Sequence, residues 1–283
     1  MKFSVIIPTH DRDILLQRAL KSALRQTLPP HEILVVDDTC SKMTEACVEG
    51  ISKDSSVKVI YIENKKPIGT SLASINLGAE IATGDVLAIL DDDDYWHKDY
   101  LKKVQDVMIR EKADVVVTAK MNVDENGNLT IGKMPPEKYV KEEWLLRNPG
   151  CACSNFVVKK ECFITVEGCD VRLKTSSDRD LFIRLMKAGL RYTVLKERLV
   201  YHSNYGLRLT MDTKKMFKSN LRLYIKYFRE INLKLHFKII KKLIRLASQA
   251  YFLNQKTNDQ FNHILQRELN KVQVCFTYSG LSF

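Results

Sequence analysis

Largely apolar runs alternate with amphipathic stretches over the first 90 residues of the chain. Four of these runs have the length and composition of buried strands, and they occupy 3–7, 32–36, 57–62 and 86–90. Three other stretches repeat their apolar residues at helical spacing, at 14–24, 43–52 and 71–82. Strand and helix therefore alternate, which predicts an α/β protein with a mostly parallel sheet and right-handed crossovers.

Weaker patterns continue up to residue 205. They predict helices at 101–112 and 178–188, and strands at 115–118, 155–159, 192–195 and 198–201. Asp-Glu-Asn-Gly-Asn at 124–128 has the composition of a hairpin turn, and the weakly periodic segment 130–150 is interpreted as a loop. Ser177 is a natural N-cap for the second helix, and Gly189 is a natural stop.

Aspartates follow two of the predicted strands directly. Asp37 and Asp38 come after the second strand, and four consecutive aspartates, 91–94, come after the fourth. Because open α/β sheets bind ligands at the carboxyl ends of their strands, both groups can share one ligand. Neighbouring carboxylates repel one another unless a cation lies among them, and oxygen ligands suit Mg²⁺ or Mn²⁺ shared with phosphates. A solvated acidic loop is the alternative, and the position at a strand end favours the metal.

The whole chain has a formal net charge of +11, and the basic excess is concentrated in its last part. Residues 206–283 contain 15 Lys and Arg against 4 Asp and Glu, whereas residues 1–205 contain 30 of each kind. This asymmetry predicts a domain at 1–205 followed by a basic region at 206–283. It also predicts an anionic partner for that region, either a membrane surface or nucleic acid.

Helical periodicity accompanies this basic charge. Five apolar residues repeat at helical spacing opposite three basic ones: Ile239, Ile240, Leu243, Ile244 and Ala247 against Lys241, Lys242 and Arg245. A basic amphipathic helix of this kind can lie in an anionic membrane interface. The alternative is that its apolar face packs on the first domain while its charges are solvated.

The seven cysteines are scattered, and Cys151 and Cys153 stand too close for the usual metal or redox spacing. Reduced thiols in a cytosolic protein are the simpler interpretation. The first residues are apolar too briefly for a signal peptide. Since no window reaches the roughly 18 apolar residues of a transmembrane helix, we expect a cytoplasmic protein. Peripheral attachment to the inner face of the cytoplasmic membrane is compatible with this expectation.

A series of motifs in a fixed order connects the chain to a known family. They are SVIIPTHDR at 4–12, Gln26-Thr27, EILVVDD at 32–38, Gly69, Asn76-Leu77-Gly78, Thr83-Gly84-Asp85, LDDDDYW at 90–96 and SDRDL at 177–181. Together they resemble the family 2 inverting glycosyltransferases with the GT-A fold, over roughly residues 3–205. The resemblance implies a Rossmann-like, mostly parallel central sheet flanked by helices. The helical periodicity of the basic region adds a helical extension at the carboxyl end.

The resemblance implies binding roles for five residues at the nucleotide-sugar donor. Pro8 and Thr9 would lie against the nucleotide. Asp38 would accept a hydrogen bond from the base, and Asp91 or Asp92 would reach the ribose.

Metal and catalytic base are implied in the same way. Asp93 stands in the position of the family's Asp-X-Asp motif and would ligate the divalent metal that bridges the diphosphate. Asp178 would be the general base that deprotonates the acceptor hydroxyl, against the alternative of a carboxylate that only stabilises a helix start. His202 is a further candidate metal ligand, against the alternative of a packed residue beside Tyr201.

Three departures from the family pattern bear on these roles. Thr39 and Cys40 follow the first aspartate pair where Gly-Ser is common, and Ile75 stands where many members have Arg. Ser177 replaces the Glu of the second acidic motif. Asp178 is retained, so it remains the candidate base in altered surroundings.

The resemblance thus implies a metal-dependent inverting glycosyltransferase. It would move a sugar from a nucleotide-diphosphate donor, with a UDP-sugar favoured, to a saccharide or glycolipid acceptor in surface polysaccharide or lipopolysaccharide synthesis. Mn²⁺ or Mg²⁺ would stabilise the diphosphate leaving group. A sugar nucleotidyltransferase would need a Gly-rich phosphate loop, and 6–12 contains no glycine. A non-catalytic protein with a membrane- or nucleic-acid-binding tail is the other alternative, although no nucleic acid partner is expected.

Overall fold

A nine-stranded sheet forms the centre of the fold in the residues that the structure describes, 1–204 and 212–252 of a computed structural model. Its strands are β1 Phe3–Thr9, β2 Glu32–Asp37, β3 Lys58–Glu63, β4 Val86–Ile89, β5 Tyr95–Trp96, β6 Val115–Val123, β7 Leu129–Ile131, β8 Phe156–Lys159 and β9 Tyr192–Ser203. Their order across the sheet is β3-β2-β1-β4-β8-β6-β9-β5, and β7 pairs with β6.

Helices follow the first strands in strict alternation. The helices are α1 Asp13–Leu24, α2 Lys42–Ser52, α3 Leu72–Ile81, α4 Tyr100–Arg110, α5 Lys141–Leu146, α6 Lys160–Thr165, α7 Ser177–Lys187, α8 Thr213–Tyr227 and α9 Leu233–Phe252. The predicted β-α-β-α-β-α-β order of the first part is therefore confirmed, with element ends that differ by one or two residues.

Parallel pairing is concentrated in the first half of the sheet. β1 is parallel to β2 and β4, and β2 is parallel to β3. β8 then runs antiparallel to both β4 and β6, whereas β9 is parallel to β6. The carboxyl ends of β1, β2 and β4 consequently lie at one edge, as the parallel arrangement predicts.

One continuous strand, β9, replaces the two short strands predicted at 192–195 and 198–201. Its pairing with β6 shifts register between Leu195 and Arg198, so a bulge absorbs the residues that looked like a break. The interpretation of 130–150 as a loop was wrong in part, because α5 lies inside it. The predicted turn at 124–128 does connect the antiparallel strands β6 and β7.

Apolar side chains of β1 pack on both faces of the sheet. Val5 and Ile7 are fully buried in one core cluster with Leu16 of α1. Ile6 points the other way, towards Gly78 of α3, where a methyl group would lie only 2.7 Å from an Ile6 side-chain carbon. Because both faces are covered, this strand is apolar almost throughout.

The chain divides into two compact units. The first consists of Met1–Tyr139, Pro149–Val171 and Leu181–Gly206, and it contains the sheet. The second consists of Val140–Asn148, Arg172–Asp180 and Leu207–Phe283, and in it α9 packs on α8 and α5. The predicted domain boundary at 205/206 lies outside the described residues, and the division there stays a prediction.

Two general properties follow from the described part of the chain. No helix in it is both long and apolar enough to cross a bilayer. Its six cysteines form no disulfide.

Candidate active site

The first nucleotide-binding candidates meet where β1 and β2 end. Thr9 pairs in register with Asp37, and the Asp38 backbone N–H donates a 3.0 Å hydrogen bond to the Thr9 carbonyl. Pro8 directly precedes them and lies buried within β1. Parallel pairing therefore fixes Pro8, Thr9 and Asp38 at one sheet edge.

Asp38 is almost fully buried, with 8% of its surface exposed. Asn64 donates from Nδ2 to Asp38 Oδ1 at 2.8 Å, and the Ser74 hydroxyl donates to the same oxygen. Asn64 Nδ2 also lies 2.9 Å from Ser74 Oγ. These two donors hold the carboxylate in one orientation, as a selective acceptor for a base would require.

Asp37 organises the loop beside Asp38. It accepts hydrogen bonds from the Thr39 backbone and hydroxyl, from the Ser41 backbone and from the Tyr61 hydroxyl. Burial raises the pKa of the Asp37 carboxyl, but these hydrogen bonds outweigh it and leave the pKa below the ordinary value. Asp37 therefore supports the position of its neighbour Asp38.

The acidic run after β4 contacts the end of β1 directly. The Thr9 hydroxyl donates a 2.9 Å hydrogen bond to Asp92 Oδ2. Arg12 Nη1 lies 3.2 Å from Asp92 Oδ1 and 3.3 Å from Asp93 Oδ2, so one guanidinium bridges both carboxylates. The local arrangement supplies the cation that adjacent carboxylates require.

Burial and mutual repulsion change the protonation of these aspartates. Burial, followed by the charges of Asp94, Asp93 and Asp92, raises the pKa of Asp91 well above its ordinary value. Burial also raises the pKa of Asp92 to about 6, although Arg12 and the Thr9 hydrogen bond oppose this shift. A cation or a hydrogen-bond donor that binds these carboxylates would stabilise their charged form.

Asp94 anchors the acidic run to β9. It is fully buried, its Oδ2 lies 2.9 Å from His202 Nδ1, and its Oδ1 accepts from the Ser203 backbone at 2.8 Å. Burial raises the pKa of Asp94, but His202 and the hydrogen bonds reverse the shift and lower it overall. Asp94 thus has the supporting position, and His202 is held beside it.

The donor set suits a hard divalent cation that is shared with substrate. Mg²⁺ and Mn²⁺ are commonly bound by one or two carboxylates plus phosphate oxygens and water. Within 1–204 and 212–252, no group of three or more His, Cys, Asp or Glu side chains is placed to hold a metal ion. A metal at Asp93, which is more exposed than Asp92 and Asp94, would need further ligands such as diphosphate oxygens and water.

Asp178 belongs to the second unit and lies in the first turn of α7. Asn148 donates from Nδ2 to its Oδ2, and the Arg179 backbone donates to its Oδ1 at 2.8 Å. The side chain is half-buried. Ser177 begins the helix rather than preceding it as predicted, which moves the start of α7 by one residue.

Two neighbours of Asp178 have structural roles. Arg179 is buried and donates to the Trp144 and Leu145 carbonyls and to Asn220 Oδ1. Asp180 is buried as well, with the Tyr227 hydroxyl 2.9 Å from its Oδ1. Asp178 is the most accessible of these three residues, as a general base that contacts substrate would have to be.

Several residues of the site were not assigned a role from the sequence. The sequence could have indicated Arg12, since it is a cation in the loop directly after β1. Asn64 directly follows β3, so the rule that ligand-binding residues follow parallel strands would have included it. Ser74 and Ser154 carry no comparable signal: Ser74 reaches Asp38 from α3, and Ser154 Oγ accepts from the Asp91 backbone.

A family model identifies the family of the chain. The model for glycosyl transferase family 2 matches residues 4–166, which is more than half of the chain. The chain therefore belongs to glycosyl transferase family 2, and it is a glycosyltransferase.

Individual relatives are similar over most of the chain. The amylovoran biosynthesis glycosyltransferase AmsB of Erwinia amylovora is 23% identical, and the match covers 98% of each chain. The putative colanic acid biosynthesis glycosyl transferase WcaA of Escherichia coli K12 is 26% identical over 79% of this chain and 80% of its own.

A solved structure resembles the fold. TarS 1–349 of S. aureus in complex with UDP-GlcNAc superposes with a TM-score of 0.69 at 18% identity. The superposition covers 92% of this chain and 78% of the TarS chain. The likeness confirms the predicted GT-A fold.

Proposed function

We propose that the protein is a metal-dependent, inverting glycosyltransferase that uses a nucleotide-diphosphate sugar, with a UDP-sugar as the favoured donor. The observation that carries this proposal is the convergence of Thr9, Asp38, Asp92 and Asp93 at the carboxyl ends of three parallel strands. An acceptor for a base and carboxylates for a ribose and a metal thereby share one edge.

The donor is held by groups with separate tasks. Asp38, oriented by Asn64 and Ser74, accepts from the imide N–H of a uracil base. Asp91 or Asp92 accepts from the ribose hydroxyls, and Pro8 and Thr9 lie against the nucleoside. The TarS structure in complex with UDP-GlcNAc supports the choice of a uridine nucleotide by likeness of fold.

Asp93 supplies the carboxylate for Mn²⁺ or Mg²⁺, with His202 as a further candidate ligand. The metal, when bound, neutralises the charge that develops on the diphosphate. Arg12 bridges Asp92 and Asp93 and can then turn to a phosphate oxygen, since its side chain is 41% exposed. A cation thus lies near the four aspartates both without the donor, when it is Arg12, and with the donor, when it is the metal.

Asp178 accepts the proton of the acceptor hydroxyl as its oxygen attacks the anomeric carbon. The new carbon–oxygen bond forms on the face opposite the nucleotide, and the bond to the diphosphate breaks with its electron pair leaving on the phosphate oxygen. A single displacement of this kind inverts the anomeric centre. It needs a positioned base but no covalent carboxylate partner.

A saccharide or glycolipid of a surface polysaccharide is the proposed acceptor. The amylovoran and colanic acid names of two relatives support this choice. Such acceptors are assembled at membranes, so we place the enzyme at the cytoplasmic face as a peripheral protein. The basic helix α9 supports that placement.

A thermal-shift screen with nucleoside diphosphates, with and without Mn²⁺, tests donor binding. UDP with Mn²⁺ is expected to raise the melting temperature more than GDP or CDP. Asp93→Asn should abolish the Mn²⁺-dependent part, whereas Asp106→Asn, on the solvent side of α4, should retain it. If no nucleotide stabilises the protein under any condition, the donor assignment is rejected.

Asp178→Asn tests the base. Turnover, measured as donor hydrolysis and as transfer to saccharide primers, is expected to fall about 10²- to 10⁴-fold with unchanged UDP affinity. The anomeric configuration of the product, read by NMR, tests inversion. Asp180→Asn is the contrasting variant, because it should lower the melting temperature through loss of its buried contacts with Tyr227 and Lys226. Retained turnover in Asp178→Asn would remove the residue from the mechanism.

A further inference from the structure

Helix α9 buries one complete face inside the second unit. Its buried apolar side chains recur at helical spacing, and they are Leu235, Ile239, Leu243, Leu246 and Ala250. This face packs on α8 and α5. The packing requirement of an amphipathic helix is therefore already met by these residues.

A second apolar stripe runs along the opposite, solvent-facing side of α9. Leu233 is 56% exposed, Phe237 is 55% exposed and Ile244 is 60% exposed, with half-buried Ile240 between the last two. Their spacing of four, three and four residues keeps the four side chains within an arc of roughly 60°. We call these four residues the apolar stripe.

A basic stripe lies directly beside the apolar stripe. Its four exposed members each follow a member of the apolar stripe by one residue, and they are Lys234, Lys238, Lys241 and Arg245. The two stripes run in parallel over roughly 16 Å of helix, about 100° apart around the axis. The part of α9 that contains both stripes, 233–245, has no acidic residue.

The apolar and basic stripes of α9 differ from the isolated apolar residues that are exposed elsewhere on the surface. Exposed apolar residues on other helices of the described part stand apart, such as Ile14 on α1 and Ile109 on α4. Isolated exposures of this kind are ordinary. In α9, by contrast, large side chains line up with cations that reach the same surface.

We propose that this exposed face of α9 docks on a bilayer surface that contains anionic phospholipid. The apolar stripe enters the boundary between headgroups and acyl chains, and the basic stripe contacts lipid phosphates. Charge complementarity selects this occupant, since a neutral or cationic partner would leave four basic side chains uncompensated. The inference rests on the peripheral placement proposed above and deepens it, but it does not depend on the transfer reaction.

Vesicle co-sedimentation of the full chain tests the proposal. Vesicles of phosphatidylcholine alone are compared with vesicles that also contain phosphatidylglycerol, at low and at high salt. The full chain is expected to bind the anionic vesicles at least about tenfold more strongly, and salt should weaken that binding.

Two variants separate the two stripes. Phe237→Ser with Ile244→Ser removes apolar contact, and its matched control is Ile14→Ser with Ile109→Ser, which replaces apolar residues elsewhere that are at least as exposed. Gln at all four positions of the basic stripe removes charge. Its control places Gln at four other exposed lysines: Lys21, Lys53, Lys58 and Lys98. Each α9 variant should lose about tenfold or more in partitioning, while the controls keep the wild-type value.

The outcomes are distinguishable from failure of the transfer reaction. UDP binding in solution is expected to be unchanged in all of these variants, because every replaced side chain lies outside the donor site. Equal partitioning of wild type and both α9 variants would overturn the proposal. Binding of the basic stripe to nucleic acid, without binding to anionic vesicles, would also overturn it.

Discussion

The hydroxyl of Thr9 donates a 2.9 Å hydrogen bond to the carboxylate of Asp92, 83 residues further along the chain. This bond joins the end of β1 to the acidic run after β4. It also opposes the rise in the pKa of Asp92 that burial causes. One side chain thereby couples the proposed nucleoside contact to the charge of the acidic run.

Thr9→Val removes this hydrogen bond while it keeps the shape of the side chain. We expect the pKa of Asp92 to rise further and the affinity for UDP with Mn²⁺ to fall about fivefold, since a hydrogen bond to a charged group contributes roughly 1 kcal/mol or more. Calorimetric titration with UDP and Mn²⁺ measures the change. Thr9→Ser retains the hydroxyl and should restore most of the affinity; a Ser variant as weak as the Val variant would point to packing instead.

Arg12 bridges Asp92 and Asp93, and Asp93 is the proposed metal ligand. Arg12→Gln should therefore tighten Mn²⁺ binding to the nucleotide-free protein, by about threefold to tenfold, because a competing cation is lost. The same change should weaken UDP binding, because a contact with the phosphates is lost. Electron paramagnetic resonance of free Mn²⁺ at pH 8 reports the metal affinity. Arg25→Gln is the control, because it removes an exposed arginine that does not contact the aspartates. Weaker metal binding in Arg12→Gln would contradict the competition.

Gly84 lies close against Ser4 of β1. A methyl group there would meet Ser4 Oγ at 2.6 Å and the Lys2 carbonyl at 2.7 Å. Ser4 in turn donates to the buried carboxylate of Glu32, so the clash would disturb a buried polar contact. Gly84→Ala is expected to lower the free energy of unfolding by about 2 to 4 kcal/mol.

Gly50 is the matched control for this substitution. It lies in α2, and a methyl group there would meet nothing within 4 Å. Gly50→Ala should raise the free energy of unfolding by about 0.5 to 1 kcal/mol, as in other helix interiors. Urea unfolding of both variants measures the contrast, and similar values for the two would refute the close packing at Gly84.

Local patterns were sufficient to predict the elements that build the sheet edge. Strand β1 and helix α1 are specified by period and by apolar content, and both were predicted nearly to their ends. Asp38 and Asp93 could be placed at one edge because parallel strands end together. Ser74, which contacts Asp38, and Ser154, which contacts Asp91, could not be predicted, since they reach the site through chain folding rather than through a local pattern.

The pairing of β9 with β6 shows a second limit. The two predicted strands looked separate because Lys196 and Glu197 interrupt the apolar alternation. A register shift in the pairing takes up these residues, and the strand continues. Bulges depend on the partner strand, which a single segment does not reveal. The helix α5 was missed for a related reason: it has only six residues, and Trp144 and Leu145 are its only buried members.

Lys242 gives a pH-dependent prediction within the second unit. Its Nζ donates to the Leu146 carbonyl at 2.6 Å and to Asn220 Oδ1 at 2.5 Å. Burial, and then the positive charges of Arg179 and Arg245, lower the pKa of Lys242 from 10.5 to about 7. The unfolded chain therefore binds more protons between pH 7 and 10 than the folded chain. By linkage, this lysine makes the protein less stable at neutral pH and progressively more stable as the pH rises.

Lys242→Met removes that pH dependence. From pH 7 to pH 10, the free energy of unfolding of the wild type should rise by about 3 kcal/mol relative to that of the variant. The absolute difference also contains the two lost hydrogen bonds, so the change with pH is the informative quantity. Lys238→Met, an exposed position on the same helix, should show no such change. Parallel stability curves for wild type and Lys242→Met, measured by urea unfolding across this range, would mean that Lys242 keeps its ordinary pKa in the folded protein.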